Sequence, residues 1–417
     1  MKRVLVWGLG VSGKAAVQLL KAKGFEVYAG DDAEGDRFEE YINFVDTVVL
    51  SPGIPPHHSL WKEAKRRGLE VIGELELAWR FFSGKAIAIT GTDGKSTTTR
   101  LTYLMLREFY ANVEEGANAG IPLSQIVLKN PSCLAVLEVS SFQGKTLKTF
   151  KPHIGAFLNI SEDHLDWHGS MDDYLWSKRN IFARQGEEDF LLLNASDERV
   201  SKTESKAKKF YLFDGEKHGY INNGKAYFLG EELFEVEKLK IRGRHNWQNA
   251  LFASAIARLM QVPLEIIRDV LYSFTGLPHR MEYLGTFNGV QVYNDSKSTT
   301  VNALKSALES FEDGKVVLIA GGRDKGGDFE SIRELVKRKT KACVLIGEAK
   351  EKIAKAWQGC QVYLARDLED AVSMAFDRAL PGDVLLFSPA CASFDMFKDY
   401  KDRGNRFKDY VNRLTKP

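Results

Sequence analysis

Apolar residues follow two rhythms along this chain. Short strand-like runs recur at Val4–Trp7, Glu26–Ala29, Thr47–Leu50, Ala86–Thr90, Leu134–Val139, Ile154–Asn159, Phe190–Leu193, Val316–Ala320, Ala342–Ile346, Gln361–Leu364 and Val384–Phe387. Helix-length amphipathic stretches separate most of them. Continuous apolar runs suit parallel strands buried on both faces, and the alternation with helices suits βα units. The pattern restarts near residues 83 and 278, with no long linker, low-complexity tract or fixed-period repeat between. It predicts an α/β protein of three domains: residues 1–82, 83–277 and 278–417. The first and last read as Rossmann-like, and the central one as a P-loop ATPase-type domain with a mainly parallel sheet. Asn222-Asn-Gly224-Lys predicts a hairpin turn, and Asn246–Met260 and Leu264–Tyr272 predict helices.

Composition narrows the class. Hydrophobic residues at 44% and charged residues at 27% are ordinary for a soluble globular protein. A net charge of +2 gives no reason to expect nucleic acid or an anionic membrane as partner. The apolar runs are too short to span a bilayer. Met1-Lys-Arg leads into a strand without a signal-peptide pattern, so a cytoplasmic protein is expected. Cys133, Cys343, Cys360 and Cys391 are scattered without a CxxC pair, which suits reduced thiols.

Chemistry collects at strand ends. Gly91-Thr92-Asp93-Gly94-Lys95-Ser96-Thr97 sits between a predicted strand and a helix. Glycines there let backbone N–H groups approach phosphates, the helix N-terminus adds favourable partial charge, Lys95 would neutralise phosphate oxygens and Ser96 would meet magnesium. The first glycine of the full GxxxxGK[ST] form is replaced by Ile89. Gly8-x-Gly10-x-x-Gly13, with Asp31 downstream, suits a nucleotide diphosphate (NAD, FAD or a UDP-sugar) or merely close helix–strand packing. Glu138 closes an apolar strand before Ser140-Ser-Phe-Gln143; it is either a solvated strand-end residue or a magnesium ligand. Asn159-Ile-Ser-Glu-Asp163-His164-Leu-Asp166 crowds charge after another strand, so a metal site shared by Glu138 and His164 is plausible. Lys178, on a helical segment, reads as a surface lysine. Asn246, opening a helix, reads as an N-cap or a reader of a base edge. Loops after three C-terminal strands, around Asn294–Thr299, Gly321–Asp328 and Ser388–Phe394, suit a small dicarboxylate-like ligand.

Taken together, GTDGKST, LEVSSFQ, LNISEDHLD, GRHNWQN, LPHR and NDSKST resemble the Mur ligase family, in the family's order and across essentially the whole chain. The GLGVSG opening is similar to the members that attach L-alanine or D-glutamate, and DSKST, SPACASFDMF and Arg403-Gly404 are most similar to those that attach D-glutamate. The resemblance implies three α/β domains for UDP-sugar, ATP and amino acid. It implies an ATP-dependent ligase joining D-glutamate to UDP-N-acetylmuramoyl-L-alanine through an acyl phosphate, in peptidoglycan precursor synthesis. Val11, Ser12, Asp31, Ser51, Pro52, Gly53, Asn118 and Ser140 match the UDP-sugar site. Gly91 through Thr97, with Asn249, Arg280 and Asp295, match ATP contacts. Ser96, Glu138 and His164 match magnesium ligands, and Lys178 matches a lysine carbamylated in the family to help hold a second ion. Lys95, His164 and Lys178 are the implied catalytic residues. Lys297, Thr299, Lys325, Ser393, Phe394 and Tyr400 match the amino-acid pocket. A monomer with no nucleic-acid or membrane partner is expected.

Overall fold

The computed structural model describes residues 3–118, 120–213, 215, 217–324 and 326–415. It holds three sheets. The first, in the order β2-β1-β3-β4, is built from Arg3–Trp7 (β1), Glu26–Gly30 (β2), Thr47–Leu50 (β3) and Glu70–Gly73 (β4), all parallel. The second is nine-stranded: Lys85–Thr90 (β5), Val113–Ala117 (β6), Leu134–Glu138 (β7), Ile154–Phe157 (β8), Phe190–Asn194 (β9), Lys208–Leu212 (β10), Gly219–Asn222 (β11), Lys225–Phe228 (β12) and Glu231–Glu235 (β13). Its order is β13-β12-β11-β10-β9-β8-β5-β7-β6, parallel except for the β11–β12–β13 meander. Asn223 and Gly224, both at positive φ, turn the expected hairpin between β11 and β12.

The third sheet joins Glu282–Phe287 (β14), Val290–Asn294 (β15), Val316–Gly321 (β16), Thr340–Ile346 (β17), Val362–Leu364 (β18) and Val384–Phe387 (β19) in the order β14-β15-β19-β16-β17-β18. Its edge strand β14 runs antiparallel to β15, which the apolar pattern did not signal: its burial is partial throughout, as an edge strand's is.

The chain falls into two compact units. One takes in everything to Glu237 with Gln248–Leu271; the other takes in Lys238–Trp247 and Tyr272 onward. Within the first unit, the N-terminal sheet has its own cores, around Leu5, Trp7 and Leu50 and around Val4, Val6 and Leu20, and it is also joined to the central part. Leu19, Leu75 and Ala78 share one core with Ile126, Leu137 and Phe150 of the central part. The junction is also polar. Glu76, fully buried, accepts hydrogen bonds from the N–H groups of Lys148 (2.9 Å), Thr149 (3.0 Å) and Phe150 (3.2 Å) and from the Thr149 hydroxyl (2.7 Å). Arg80 pairs with the same carboxylate at 3.1 Å. A buried charge is tolerated where donors converge on it in this way.

Candidate active site

The phosphate-binding turn follows β5 directly. Gly94 caps the helix Lys95–Arg107 at φ +81, and a Cβ there would stand 2.2 Å from Asn249 Oδ1. Glycine is required on both counts. Thr98 donates to the same Asn249 oxygen at 3.3 Å, so the turn and the helix Arg244–Leu259 meet here. Asn159 clasps the turn from the next strand end, accepting from the Asp93 N–H (2.9 Å) and donating to its carbonyl (3.1 Å). Lys95 folds back, its Nζ donating to the carbonyls of Gly91 (2.8 Å) and Thr92 (2.7 Å). Ser96 and Thr97 begin the helix.

Lys178 is not a surface residue. The helix Met171–Arg179 presents it at 1% exposure, its Nζ 2.7 Å from the Gly91 carbonyl and 4.8 Å from the Tyr174 ring. Burial first, and then the neighbouring Lys95 cation, hold its ammonium well below the usual lysine range. Tyr174, one turn earlier on the same face, contacts Thr92 Oγ1 through its hydroxyl at 3.0 Å. Sequence reasoning passed over Tyr174, although its i, i+4 spacing from Lys178 was a usable signal.

Glu138 ends β7 at 2% exposure. Asn118 donates to its Oε1 at 2.7 Å, while Oε2 is buried with no hydrogen-bond partner among the described residues. An orphaned carboxylate oxygen fits a cation, since an unpaired buried acceptor is costly. His164, at φ +54, starts a short helix; its ring is half exposed, 3.3 Å from Asp163 and 4.7 Å from the Phe142 centroid. Among the described residues, no three His, Cys, Asp or Glu side chains gather around one point. Of the expected ligands Ser96, Glu138, His164 and Lys178, Glu138 is the one whose surroundings fit a cation.

In the first sheet, Gly13 has a packing reason: a Cβ there would lie 1.9 Å from the Gly8 carbonyl oxygen. Val11 and Ser12 open the helix Val11–Ala22, Val11 largely exposed. Asp31 is engaged by backbone, accepting from the Leu9 N–H at 2.5 Å and the Ala33 N–H at 3.0 Å; the Ala33 and Leu9 bonds lower its pKa. Ser51 donates to the Gly8 carbonyl at 2.5 Å. Ser51 and Pro52 line a cleft with Glu74, Phe142, Gln143 and Trp167, and Gly53 lies exposed beside them. Ser140 forms a full capping box with Gln143. Asn246 is not the N-cap: it lies inside the helix that begins at Arg244, and its side chain donates to the Arg242 carbonyl at 2.7 Å.

The second unit gathers the remaining candidates. Asp295, after β15, is buried; its carboxylate accepts from Ser388 Oγ (2.8 Å) and the Met281 N–H (3.1 Å), and burial pushes its pKa up to about 7. Arg280 lies in the adjacent turn. Lys297 Nζ stands 5.8 Å over the Tyr400 ring, and its N–H bonds the His279 carbonyl. Thr299 is partly buried, Ser393 buried, Phe394 58% exposed. Reciprocal bonds between Arg323 and Ala392 bring the loops after β16 and β19 together. Lys325 lies outside the described residues. Arg403, which sequence reasoning gave no role beyond the resemblance, is fully buried and donates to Ser296 Oγ, the Ser296 carbonyl and the Cys391 carbonyl.

Residues 89–257 match the Mur ligase middle domain, and residues 279–391 match the Mur ligase glutamate ligase domain. The chain belongs to the Mur ligase family, ATP-dependent ligases that form peptide bonds. It is 56% identical over 411 residues to the UDP-N-acetylmuramoylalanine--D-glutamate ligase of Aquifex aeolicus, covering 98% of each chain. It is 51% identical over 414 residues to the protein of the same name from Hydrogenobaculum sp., again covering 98% of each. Two solved structures share the fold. UDP-N-acetylmuramate-alanine ligase MurC from Thermotoga maritima does so with a TM-score of 0.61 at 18% identity, covering 99% of this chain and 100% of that one. A pseudomurein peptide ligase type C from Methanothermus fervidus gives 0.60 at 19%, with the same coverage.

Proposed function

We propose that this protein joins D-glutamate to UDP-N-acetylmuramoyl-L-alanine at the expense of ATP, in peptidoglycan precursor synthesis. The full-length 56% identity to a ligase of that name carries the reading, and the phosphate turn with a buried lysine beside it supports it.

The L-alanyl carboxylate of the UDP-sugar attacks the γ-phosphorus of ATP, giving an acyl phosphate and ADP. Both reactants are anionic. Lys95, released from the Gly91 and Thr92 carbonyls, and the N–H groups of Gly91–Thr97 stabilise the charge in transfer. Asn249, Arg280 and Asp295 hold the nucleotide. Glu138, His164 and Ser96 would hold magnesium, which offsets charge on the phosphate oxygens when bound; the orphaned Glu138 Oε2 supports that assignment. Lys178, its pKa lowered by burial, suits carbamylation by carbon dioxide, which would add a carboxylate to the same donor set and serve a second ion. Val11, Ser12, Asp31, Ser51–Gly53, Asn118 and Ser140 hold the UDP-sugar, Asp31 by shaping the glycine turn. Lys297 and Lys325 pair with the two carboxylates of D-glutamate, with Thr299, Ser393, Phe394 and Tyr400 completing the pocket. The amine of D-glutamate then attacks the acyl carbon and phosphate leaves.

The domain limits 1–82, 83–277 and 278–417 assign these three tasks, in a cytoplasmic monomer; no helix among the described residues is long and apolar enough to cross a membrane. The test is phosphate release from ATP with UDP-N-acetylmuramoyl-L-alanine, offering D-glutamate, L-glutamate, L-alanine or diaminopimelate. Turnover that requires D-glutamate is expected, and equal turnover with all four overturns the substrate assignment.

A further inference from the structure

His168 closes the helix Leu165–His168, and its imidazole is wholly shielded from solvent. Nδ1 lies 2.9 Å from Asp173 Oδ2, and Nε2 lies 2.9 Å from Ser141 Oγ. Lys145 forms an ion pair with the other Asp173 oxygen. Burial would raise the Asp173 pKa, but the bonds from Lys145 and His168 outweigh it and keep the carboxylate ionised. A carboxylate can only accept, so the imidazole proton sits on Nδ1. Nε2 then carries a lone pair and accepts from the Ser141 hydroxyl. Burial, only partly opposed by Asp173, keeps the ring neutral. Tautomer, hydroxyl direction and ion pair are thus fixed by one another.

The resemblance to a serine-protease triad goes no further than the order of atoms. Ser141 is 2% exposed and offers no nucleophile to a substrate. What the set does is mechanical. Ser141 is the first residue of the helix Ser141–Lys145, whose cap is Ser140 and whose capping box fixes Gln143 at the cleft beside Ser51. Asp173 belongs to the helix that carries Tyr174 and Lys178. Lys145, at the far end of the first helix, reaches the same Asp173. The Phe142 ring stacks on the imidazole at 5.7 Å and 20°, and Tyr174 contacts it at 5.2 Å. One side chain therefore touches both the helix facing the cleft and the helix bearing the buried lysine.

We propose that His168 is a positioning residue: through Ser141 and Asp173 it sets the Ser140–Gln143 turn against the Lys178 helix, so that the bound UDP-sugar presents its carboxylate to the phosphate turn. The proposal rests on the ligase reading above. His168 touches no substrate and transfers no proton. Loosening the latch misaligns the acceptor, while the Lys95 turn keeps its clasp to Asn159 and its bonds to Tyr174 and Lys178 of the second helix. The signature is specific: the KM for the UDP-sugar rises and kcat falls, while the KM for ATP stays near its original value.

The experiment compares the wild-type enzyme with Ser141→Ala, His168→Asn and His168→Phe, by steady-state kinetics in each substrate and by thermal melting. Ser141→Ala deletes one arm only. His168→Asn keeps a donor toward Asp173, and His168→Phe keeps the stacking alone. Expected are a 5- to 20-fold rise in the UDP-sugar KM for Ser141→Ala, a larger loss with a 10- to 100-fold drop in kcat for His168→Phe, partial rescue in His168→Asn, and an ATP KM within 2-fold throughout. Wild-type kinetics in Ser141→Ala overturn the proposal even if the His168 variants do not fold. So does a loss that falls equally on both substrates and tracks the melting temperature. A wild-type enzyme that turns over no UDP-sugar sinks the functional reading instead.

Discussion

Lys178 Nζ donates to the Gly91 carbonyl across 2.7 Å, joining a helix to the first residue of the phosphate turn. The same carbonyl accepts from Lys95 at 2.8 Å, so two lysines converge on one oxygen, and burial together with the Lys95 cation lowers the Lys178 pKa.

Replacing Lys178 by Met tests what that lysine does. Methionine fills the space, and Lys95 still satisfies the Gly91 carbonyl, so the melting temperature should stay within about 3 °C. Phosphate release should drop by roughly 100-fold or more, as expected when a group next to the transferred phosphoryl is lost. Unchanged turnover would leave Lys178 a packing residue.

Lys95→Ala removes the mobile cation of the turn. Turnover should fall by about 100- to 1,000-fold, with little change in stability because its bonds to the Gly91 and Thr92 carbonyls lie within the turn itself. Coupled ADP detection reads the effect. Undiminished ligation would remove the central step from the mechanism.

Asp295 makes the C-terminal unit pH-sensitive. Its folded pKa of about 7 lies above the ordinary carboxylate value, so between about pH 4 and 7 the folded state holds a proton that the unfolded chain has released. Stability from this group is fully present below the unfolded value and is lost as pH rises through the folded one, on the order of 4 kcal/mol in all. Asp295→Asn can still accept from the Met281 N–H and can donate to Ser388. The variant should flatten the fall in urea midpoint between pH 5 and 8 and lose activity through its nucleotide contact. An identical pH profile would show that Asp295 stays ionised.

Glu76→Gln tests the junction inside the first unit. With its oxygen at the Oε2 position the amide still accepts from the N–H groups of Lys148, Thr149 and Phe150, but its NH2 then faces the Arg80 Nε, which loses both its acceptor and its ion pair. A loss of roughly 3 kcal/mol in urea unfolding is expected. Ordinary surface-mutation behaviour, within about 0.5 kcal/mol, would contradict the burial described above.

Much was readable along the chain because it depends on neighbours in sequence. Parallel strands buried on both faces need unbroken apolar runs, and a turn that lets backbone approach phosphate needs glycine at fixed offsets. Both are local demands, so β1, β5, β16 and the Gly91–Thr97 turn could be placed without coordinates. Lys178 could not, because a lysine on a helix looks the same whether its face meets solvent or Gly91. Nor could Asp31, whose expected ligand oxygens turn inward to the Leu9 and Ala33 N–H groups, or Glu76 and His168, whose partners lie 74 and 27 residues away in the longest cases named, Phe150 and Ser141. Burial and hydrogen-bond pairing are properties of what packs against a side chain. They arise when distant segments meet, and the spacing of residues along the chain carries no record of that meeting.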